Sequence, residues 1–414
     1  MAATSLKETA HWRTMLPLYG AVFIDLFSFG LMYPVIVALF AQPSVGQAYG
    51  QEGIHIRLSL AFSLFPLGMF FGTALLGDLS DAFGRRRTLL ICMAGLGAAY
   101  LLMLGGIQSG MLELFLAGRL LSGLMAGTGP IAQAAMVEQA GAEDRGVALS
   151  HVVLVNCVAL VSGPAVGGLL GHFDFRAPLG FAVLLCVIAL IWIGRSRAVE
   201  TKPRRKLALG WQRPIQVFVA AWRHPVIRQL ASAFFLFQFG FALYYVYILV
   251  RMQGAYHLST AELGLFSAVL GIGFVLGSTV FYHWAARLLD QVQRRVAMLG
   301  LGLCGGFILL SALPLGGLLQ WPIALLAASS NLLAFVSLLA LISAAATDDE
   351  QGWALGIGGA MTAASFFLSG LFASILGIIP VPLLLAAGGL IVATGMLPLL
   401  GARPALKASQ ASQH

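Results

Sequence analysis

Twelve apolar runs dominate this sequence, and each is long enough to cross a lipid bilayer as a helix. A bilayer core needs roughly 20 consecutive apolar residues in helical form. Within hydrocarbon every backbone N–H and C=O group must find a partner inside the protein, and a helix satisfies these groups internally. The runs lie at about 15 to 40, 57 to 77, 88 to 107, 113 to 137, 147 to 171, 177 to 194, 227 to 250, 260 to 284, 296 to 316, 321 to 346, 352 to 378 and 380 to 401. We therefore predict an all-α integral membrane protein with twelve transmembrane helices.

Charged residues are too scarce to build a water-soluble surface. Of the 414 residues 59% are hydrophobic and only 10% are charged, against about 25% charged in an ordinary soluble domain. The lipid bilayer is therefore the expected environment. The net charge of +8 does not indicate nucleic-acid binding, because most of the basic residues lie between the runs or at their ends. Cysteines stand singly in apolar runs without metal-ligand spacing, so we expect no metal site and no cofactor. These are Cys92, Cys157, Cys186 and Cys304.

The basic residues between the runs are distributed unevenly, which predicts the orientation in the membrane. Cytoplasmic loops of membrane proteins carry an excess of lysine and arginine. With the N-terminus in the cytoplasm, Arg57, Arg176 and Arg251 fall outside, Arg119 lies within the fourth run, and the other basic residues fall inside. Both termini are therefore predicted to be cytoplasmic, as an even number of spans requires.

The chain divides into two halves around a basic segment. "FSLFPLGMFFGTALLG" at 62–77 resembles "FSAVLGIGFVLGSTVF" at 266–281, and "LVSGPAVGGLLG" at 160–171 resembles "FLSGLFASILG" at 367–377. Such repeats are typical of transporters built from two six-helix, pseudo-symmetric halves. The predicted parts are an N-terminal half at 1–194, a basic cytoplasmic linker at 195–226, a C-terminal half at 227–401 and a cytoplasmic tail at 402–414. Within the linker, residues 207–222 are either an amphipathic helix on the membrane surface or a solvated loop.

The loop after the second run contains the sharpest motif, Gly77-Asp78-Leu79-Ser80-Asp81-Ala82-Phe83-Gly84-Arg85-Arg86-Arg87. It resembles the G-x-L-x-D-x-x-G-R-R/K signature of the major facilitator superfamily. The glycines Gly77 and Gly84 permit a tight turn, and Asp81 and Arg85 can form an ion pair that breaks during transport. The resemblance adds Glu138 to this cytoplasmic gate, and it implies an Asp81 contact with a capping box at 347–350.

Ser162-Gly163-Pro164-Ala165-Val166-Gly167-Gly168 in the fifth run resembles the antiporter motif G-P-x-x-G-G of the same superfamily. The small residues Gly163, Gly167 and Gly168 allow close helix packing, and Pro164 removes a backbone hydrogen bond and bends the helix. Close packing without an antiport role is the alternative interpretation.

Two charges inside the runs are candidates for proton coupling. Asp25 lies ten residues into the first run, about 15 Å along a helix at about 1.5 Å per residue. Charges at such depth usually face a partner or a cavity. Arg119 lies at a similar depth in the fourth run, in an R-x-x-x-G segment that the resemblance associates with proton coupling. A static structural ion pair between Asp25 and Arg119 is the alternative.

Uncharged polar residues inside the runs are candidates for substrate contact. Amides and hydroxyls in membrane helices also serve as interhelical hydrogen bonds, so each has this structural alternative. The candidates are Gln133, Asn156, Gln238, Tyr244, Tyr245 and Asn331. Tyr244 and Tyr245 belong to the aromatic run "FFLFQFGFALYYVY" of the seventh span. This run either lines a cavity or faces lipid.

The sequence contains no nucleotide-binding or hydrolase motif of the common forms, so we predict no enzymatic activity and an ion gradient as the energy source. The resemblance covers nearly the whole chain and is strongest to the tetracycline-efflux-like drug:proton antiporter branch. It implies a monomeric, multi-pass protein of the bacterial inner membrane that exports drug-like compounds or an endogenous product such as a siderophore. The alternative is a proton-coupled importer of a metabolite or an iron–siderophore complex.

Overall fold

The computed structural model describes residues 2–139, 145–196, 210, 212, 215–216, 219, 222–290, 292–346, 351–375 and 378–401. In these ranges the regular structure is helical. The α-helices are α1 (Ala2–Phe40), α2 (Pro43–Phe83), α3 (Arg85–Ser109), α4 (Leu112–Leu124), α5 (Thr128–Gln139), α6 (Arg145–Phe173), α7 (Arg176–Arg195), α8 (Pro225–Tyr256), α9 (Thr260–Leu276), α10 (Tyr282–Leu288), α11 (Gln293–Ala312), α12 (Gln320–Ala345), α13 (Gln351–Leu371), α14 (Val381–Thr394) and α15 (Met396–Gly401). A π-helical turn (Gly277–Phe281) joins α9 to α10, and 3₁₀ turns lie at Gly317–Leu319 and Phe372–Ile375.

Twelve helical segments of the described chain are long and apolar enough to cross a membrane. They coincide with the twelve predicted runs, apart from the exact ends. The second segment is the largest difference, since α2 begins at Pro43 and not near residue 57. Its polar first part is helical as well and bends at Gly50, whose φ of 69° lies in the left-handed region that glycine tolerates.

The fourth span consists of two helices, because α4 ends at Leu124 and α5 begins at Thr128. In the break, the Gly127 N–H donates to the carbonyl of Met125 at 2.9 Å, a contact between residues only two apart. The regular helical hydrogen bonds are therefore interrupted within the span.

By contacts the chain forms two compact units. The first comprises Met1–Val35 and Leu67–Trp211, and the second comprises Ile36–Pro66 and Gln212–His414. The second unit thus includes the end of α1 and the beginning of α2. The predicted six-helix halves, linker and tail stay a prediction, since compactness does not test an internal repeat. The capping box at 347–350 and most of the segment 207–222 lie outside the described residues.

In the first unit, α3 packs against α4, α5 and α7, and α6 packs against α5 and α7. In the second unit, α8 contacts α12, α13 and α14, while α11 lies against α12 and α14. The aromatic run of α8 is buried in this unit: Phe234, Phe237 and Tyr244 are each 0% exposed. The lipid-facing alternative for this run is therefore wrong.

The first part of α2 packs closely against α13 within the second unit. The Ser59 hydroxyl donates to the Leu371 carbonyl at 3.2 Å. One residue earlier on α13, a Cβ added to Gly370 would lie 2.8 Å from the Ser63 backbone nitrogen. Only a residue without a side chain permits this approach of the two backbones.

Candidate functional site

The Asp25 carboxylate lies at the N-terminus of α5, where the fourth span is broken. The Gly129 backbone N–H donates to Asp25 Oδ2 at 3.1 Å. The first N–H groups of a helix have no intrahelical acceptor and carry a partial positive charge. Pro130 follows directly and needs no donor in this first turn. A main-chain group therefore stabilises the negative charge of Asp25 inside a membrane span.

Arg119 belongs to the same buried polar cluster, which we define as Asp25, Ser28, Tyr33, Tyr100 and Arg119. Its side chain is 1% exposed and interacts electrostatically with the Tyr33 and Tyr100 hydroxyls. Tyr100 also interacts electrostatically with Asp25, and it lies beside the Ser28 hydroxyl. Tyr100 therefore interacts electrostatically with both Asp25 and Arg119, and no direct ion pair between Asp25 and Arg119 occurs among the described residues. The alternative of a static Asp25–Arg119 salt bridge does not describe this geometry.

The predicted gate residues meet around Arg85, the first residue of α3. Arg85 Nη1 lies 2.9 Å from Asp81 Oδ1, and Arg85 Nη2 lies 2.8 Å from Glu138 Oε1. The same guanidinium donates to the Ser80 hydroxyl at 2.8 Å. Arg85 is only 12% exposed, so solvent screens these contacts less than it screens a surface ion pair.

The two glycines of this motif have different roles in the structure. Gly84 separates α2 from α3 with a φ of 91°, which a residue with a side chain rarely adopts. Gly77 lies inside α2, and a Cβ added there would meet nothing within 4 Å. The tight turn therefore requires Gly84 alone, and the prediction of a turn at Gly77 is wrong.

The Gly-Pro segment of α6 packs directly on α1, within the two turns that follow Asp25. A Cβ added to Gly163 would lie 2.5 Å from the Phe27 carbonyl oxygen. A Cβ added to Gly167 would lie 2.8 Å from the Leu31 carbonyl carbon. Pro164 and Gly168 are buried beside them. This stripe of small residues sets how closely α6 approaches the helix that carries Asp25.

Four of the six candidate substrate residues lie in the second unit. Gln238 is 4% exposed, and its Nε2 donates to the Thr362 hydroxyl at 2.9 Å. The Gln238 Oε1 and Asn331 Nδ2 atoms are buried, and no hydrogen-bond partner for them occurs among the described residues. Tyr244 is fully buried beside Ser311. Such polar atoms in a span are available to a ligand or to ordered water.

Tyr245 lies in an aromatic group formed with three phenylalanines. Its ring centroid is 6.2 Å from that of Phe241, 6.4 Å from Phe274 and 5.8 Å from Phe366. The remaining two candidates, Gln133 and Asn156, are partly buried in the first unit. The structure thus divides the six candidates between the units and does not gather them into one described cluster.

The sequence of this chain matches that of a known protein family. The model for the Major Facilitator Superfamily matches residues 18–370. The chain belongs to the Major Facilitator Superfamily. It is therefore a multi-pass membrane transporter and not an enzyme, and the predicted fold class is confirmed.

Curated relatives in this superfamily cover most of the chain. The class C tetracycline resistance protein of Escherichia coli is 27% identical over 349 residues, which are 84% of this chain and 85% of the relative. The class G tetracycline resistance protein of Vibrio anguillarum is 29% identical over 346 residues, covering 80% of this chain and 81% of the relative. The predicted resemblance to this branch of the superfamily is confirmed.

Solved structures share the fold at lower sequence identity. An auto-inhibited peptide transporter of the POT family covers 95% of this chain and 97% of its own, with a TM-score of 0.75 and 15% identity. A human organic anion transporter covers 94% of this chain and 99% of its own, with a TM-score of 0.67 and 20% identity. At these identities the likeness shows the fold alone.

Sequence reasoning missed the main-chain donor to Asp25 and the tyrosines of the buried polar cluster. The signal for the break is the segment "SGLMAGTGP" at 122–130, whose glycines and proline interrupt a helix readily. Tyr33 and Tyr100 carry no such signal, because a tyrosine in an apolar run is ordinary.

Proposed function

We propose that this protein is a proton-coupled antiporter that exports small organic molecules by alternating access. The observation that carries the proposal is the Asp25 carboxylate at the N-terminus of α5, in one buried polar cluster with Arg119. Relatives named for tetracycline resistance over most of their length support export of drug-like compounds. A siderophore or another endogenous product is a further candidate cargo of the same chemistry.

Asp25 is suited to couple proton binding to helix position. As a carboxylate it is attracted to the partial positive charge of the α5 N-terminus. Once protonated it loses most of that attraction, but a neutral acid costs less to bury than a charged one. Proton binding therefore loosens α1 from α5. Arg119 adds a fixed positive charge that favours release of the proton at the end of the cycle.

Two contacts act as gates at opposite ends of the spans. In the proposed orientation, with both termini in the cytoplasm, the Arg85 network lies at the cytoplasmic end. The contact of Ser59 and Ser63 with α13 lies at the exterior end. The cytoplasmic contact must break when the transporter opens to the cytoplasm, and the exterior contact must break when it opens to the exterior. The membrane is the bacterial inner membrane, and one chain carries the complete set of these groups, which supports a monomer.

The stripe formed by Gly163, Gly167 and Gly168 supports antiport, because it holds α6 on the helix that carries Asp25. We assign substrate contacts to polar groups of each unit: Gln238, Tyr244, Tyr245 and Asn331 in the second, and Gln133 and Asn156 in the first. Gln238 and Asn331 carry buried polar atoms available to a ligand. The aromatic group around Tyr245 offers flat apolar surface to a ring system.

Transport into inverted membrane vesicles tests the direction. Vesicles that contain the protein are acidified inside by respiration, and radiolabelled tetracycline is added outside. An exporter accumulates the compound inside and partly collapses the pH gradient. Accumulation in right-side-out vesicles, driven by an inward proton gradient, would instead identify an importer.

Proton release by the purified protein tests the coupling site. Adding the transported compound to the wild-type protein in weak buffer should release protons, and the Asp25→Asn variant should bind the compound without release. Arg119→Ala should impair the same step, and the double variant should be little worse than either single one, because both act on one event. Undiminished release from Asp25→Asn would remove this residue from the mechanism.

A further inference from the structure

A cavity of about 690 Å³ lies in the second unit where α1 ends and α2 begins. The ends of α1 and α8, the start of α2 and the first residue of α14 form its walls. Cavities that hold small organic ligands in proteins span about 300–1,000 Å³. None of the residues of the buried polar cluster lines this cavity.

The polar groups of this cavity are amides and one imidazole. They belong to Gln42, Gln47, Gln51, His55 and Gln253. An amide side chain offers both a hydrogen-bond donor and an acceptor and carries no charge. The residues that line the cavity include no Asp, Glu, Lys or Arg. The lining therefore matches a ligand with both donors and acceptors, and it contains no carboxylate, ammonium or guanidinium group to pair with an ion.

Apolar groups make up the rest of the lining. Val37, Phe40, Ile54, Leu58 and Val250 contribute side chains from α1, α2 and α8. Hydroxyl-rich rings such as sugars have a polar edge and C–H faces, so they need both kinds of surface. An amide-rich rim around an apolar floor provides both.

The wall made by the start of α2 is braced in its bent form. The helix bends at Gly50, with a φ of 69°. Across the bend, the Arg57 guanidinium lies 4.1 Å from the centroid of the Tyr49 ring, a cation–π contact. Arg57 Nη1 also donates to the Gly53 carbonyl at 3.4 Å. The cavity is therefore largely formed before any ligand arrives, which lowers the cost of binding.

We propose that this cavity is a second ligand site that binds an uncharged small molecule rich in hydroxyl and amide groups, of the size of a mono- or disaccharide. In the orientation proposed above it opens to the exterior. The site is distinct from the proton-coupling residues, so its occupancy does not require Asp25 to titrate.

Saturation-transfer NMR on the full chain in lipid nanodiscs, prepared without glycosidic detergent, tests the site. The probes are sucrose and N-acetylglucosamine, both uncharged, with citrate as a charged comparison. Saturation should reach both sugars and not citrate. Absence of transfer to both sugars, or equal transfer to citrate, would overturn the proposal.

Two matched glycine variants locate the binding. A Cβ added to Gly46, which lines the cavity, would meet only Ile54 Cδ1 at 3.5 Å, so Gly46→Leu fills the cavity without displacing backbone. A Cβ added to Gly180 of the first unit would meet nothing within 4 Å. Gly46→Leu should abolish saturation transfer to the sugars, and Gly180→Leu should preserve it. Transfer that survives Gly46→Leu would place the binding elsewhere and refute the site.

A glutamine pair provides the second location test. Replacing Gln51 and Gln253 together with leucine removes two hydrogen-bonding amides, which should weaken sugar binding by about tenfold or more. Gln108→Leu, at an exposed amide of the first unit, is the control and should change nothing. Equal affinity in the double variant and in Gln108→Leu would contradict the proposal. Sugar binding that persists in Asp25→Asn separates this result from the outcome of the transport tests.

Discussion

Adding one methyl group to Gly370 perturbs the contact between α2 and α13 directly. The Cβ of Gly370→Ala would lie 2.8 Å from the Ser63 backbone nitrogen and 3.0 Å from the Phe62 carbonyl carbon. Carbon atoms at contact prefer about 3.5–4.0 Å, so the two backbones must separate by several tenths of an ångström. Overpacking of this kind costs about 1–3 kcal/mol. This free energy destabilises the conformation in which the two helices touch. We therefore expect the equilibrium between this closed conformation and the open one to shift about 5- to 150-fold toward the open one.

Modification of an introduced thiol measures this shift. Ser59 is 4% exposed beside the contact, so Ser59→Cys reacts with a membrane-impermeant maleimide only when α2 and α13 separate. Gly370→Ala should raise the modification rate by the factor given above. Gly359→Ala on the same helix is the control, because a Cβ there would meet nothing within 4 Å. Both changes raise helix propensity equally, so a rate that rises equally in both variants, or in neither, would refute the reasoning.

Three further predictions concern the first unit. Asp25→Asn should keep substrate affinity within about twofold and abolish uphill transport, because an amide cannot exchange a proton; ligand binding and vesicle uptake measure the two separately. Arg85→Ala should reduce turnover strongly at normal expression, whereas Arg87→Ala, at an exposed position of the same motif, should not; initial transport rates decide this. Gly167→Ala should destabilise the protein by about 1–3 kcal/mol through overpacking against α1, while Gly180→Ala, which meets nothing, should not lower the thermal unfolding temperature.

The twelve spans were predictable because hydropathy is a property of each run by itself. The cytoplasmic motif was predictable for a similar reason, since Asp81 and Arg85 lie four residues apart and their spacing alone allows the 2.9 Å contact. Glu138 is 53 residues from Arg85 in the chain, and only the family resemblance brought it into that prediction. Its 2.8 Å contact with Arg85 appears in the folded structure.

The groups around Asp25 were predictable only in part. An acid in an apolar run is conspicuous, and Arg119 is the obvious partner by charge. The N–H of Gly129 cannot be identified from the sequence, because every residue except proline carries such a group and its availability depends on where the helix breaks.

The glutamines of the cavity were also difficult to predict. Gln51 and Gln253 come together only when α2 and α8 meet in the folded chain.

The donor to Asp25 is part of the main chain, and this has a consequence for how the site tolerates mutation. A Cβ added to Gly129 would lie 3.5 Å from Asp25 Oδ2, an ordinary contact distance. Many residues at position 129 would therefore still present the same N–H to the acid, and proline is the one that would delete it. A comparison of side chains at this position among related sequences would miss the role of the group. The hydrogen bond to Asp25 depends on the position of the α5 backbone. A mutation of a neighbouring side chain changes this hydrogen bond only if it moves α5.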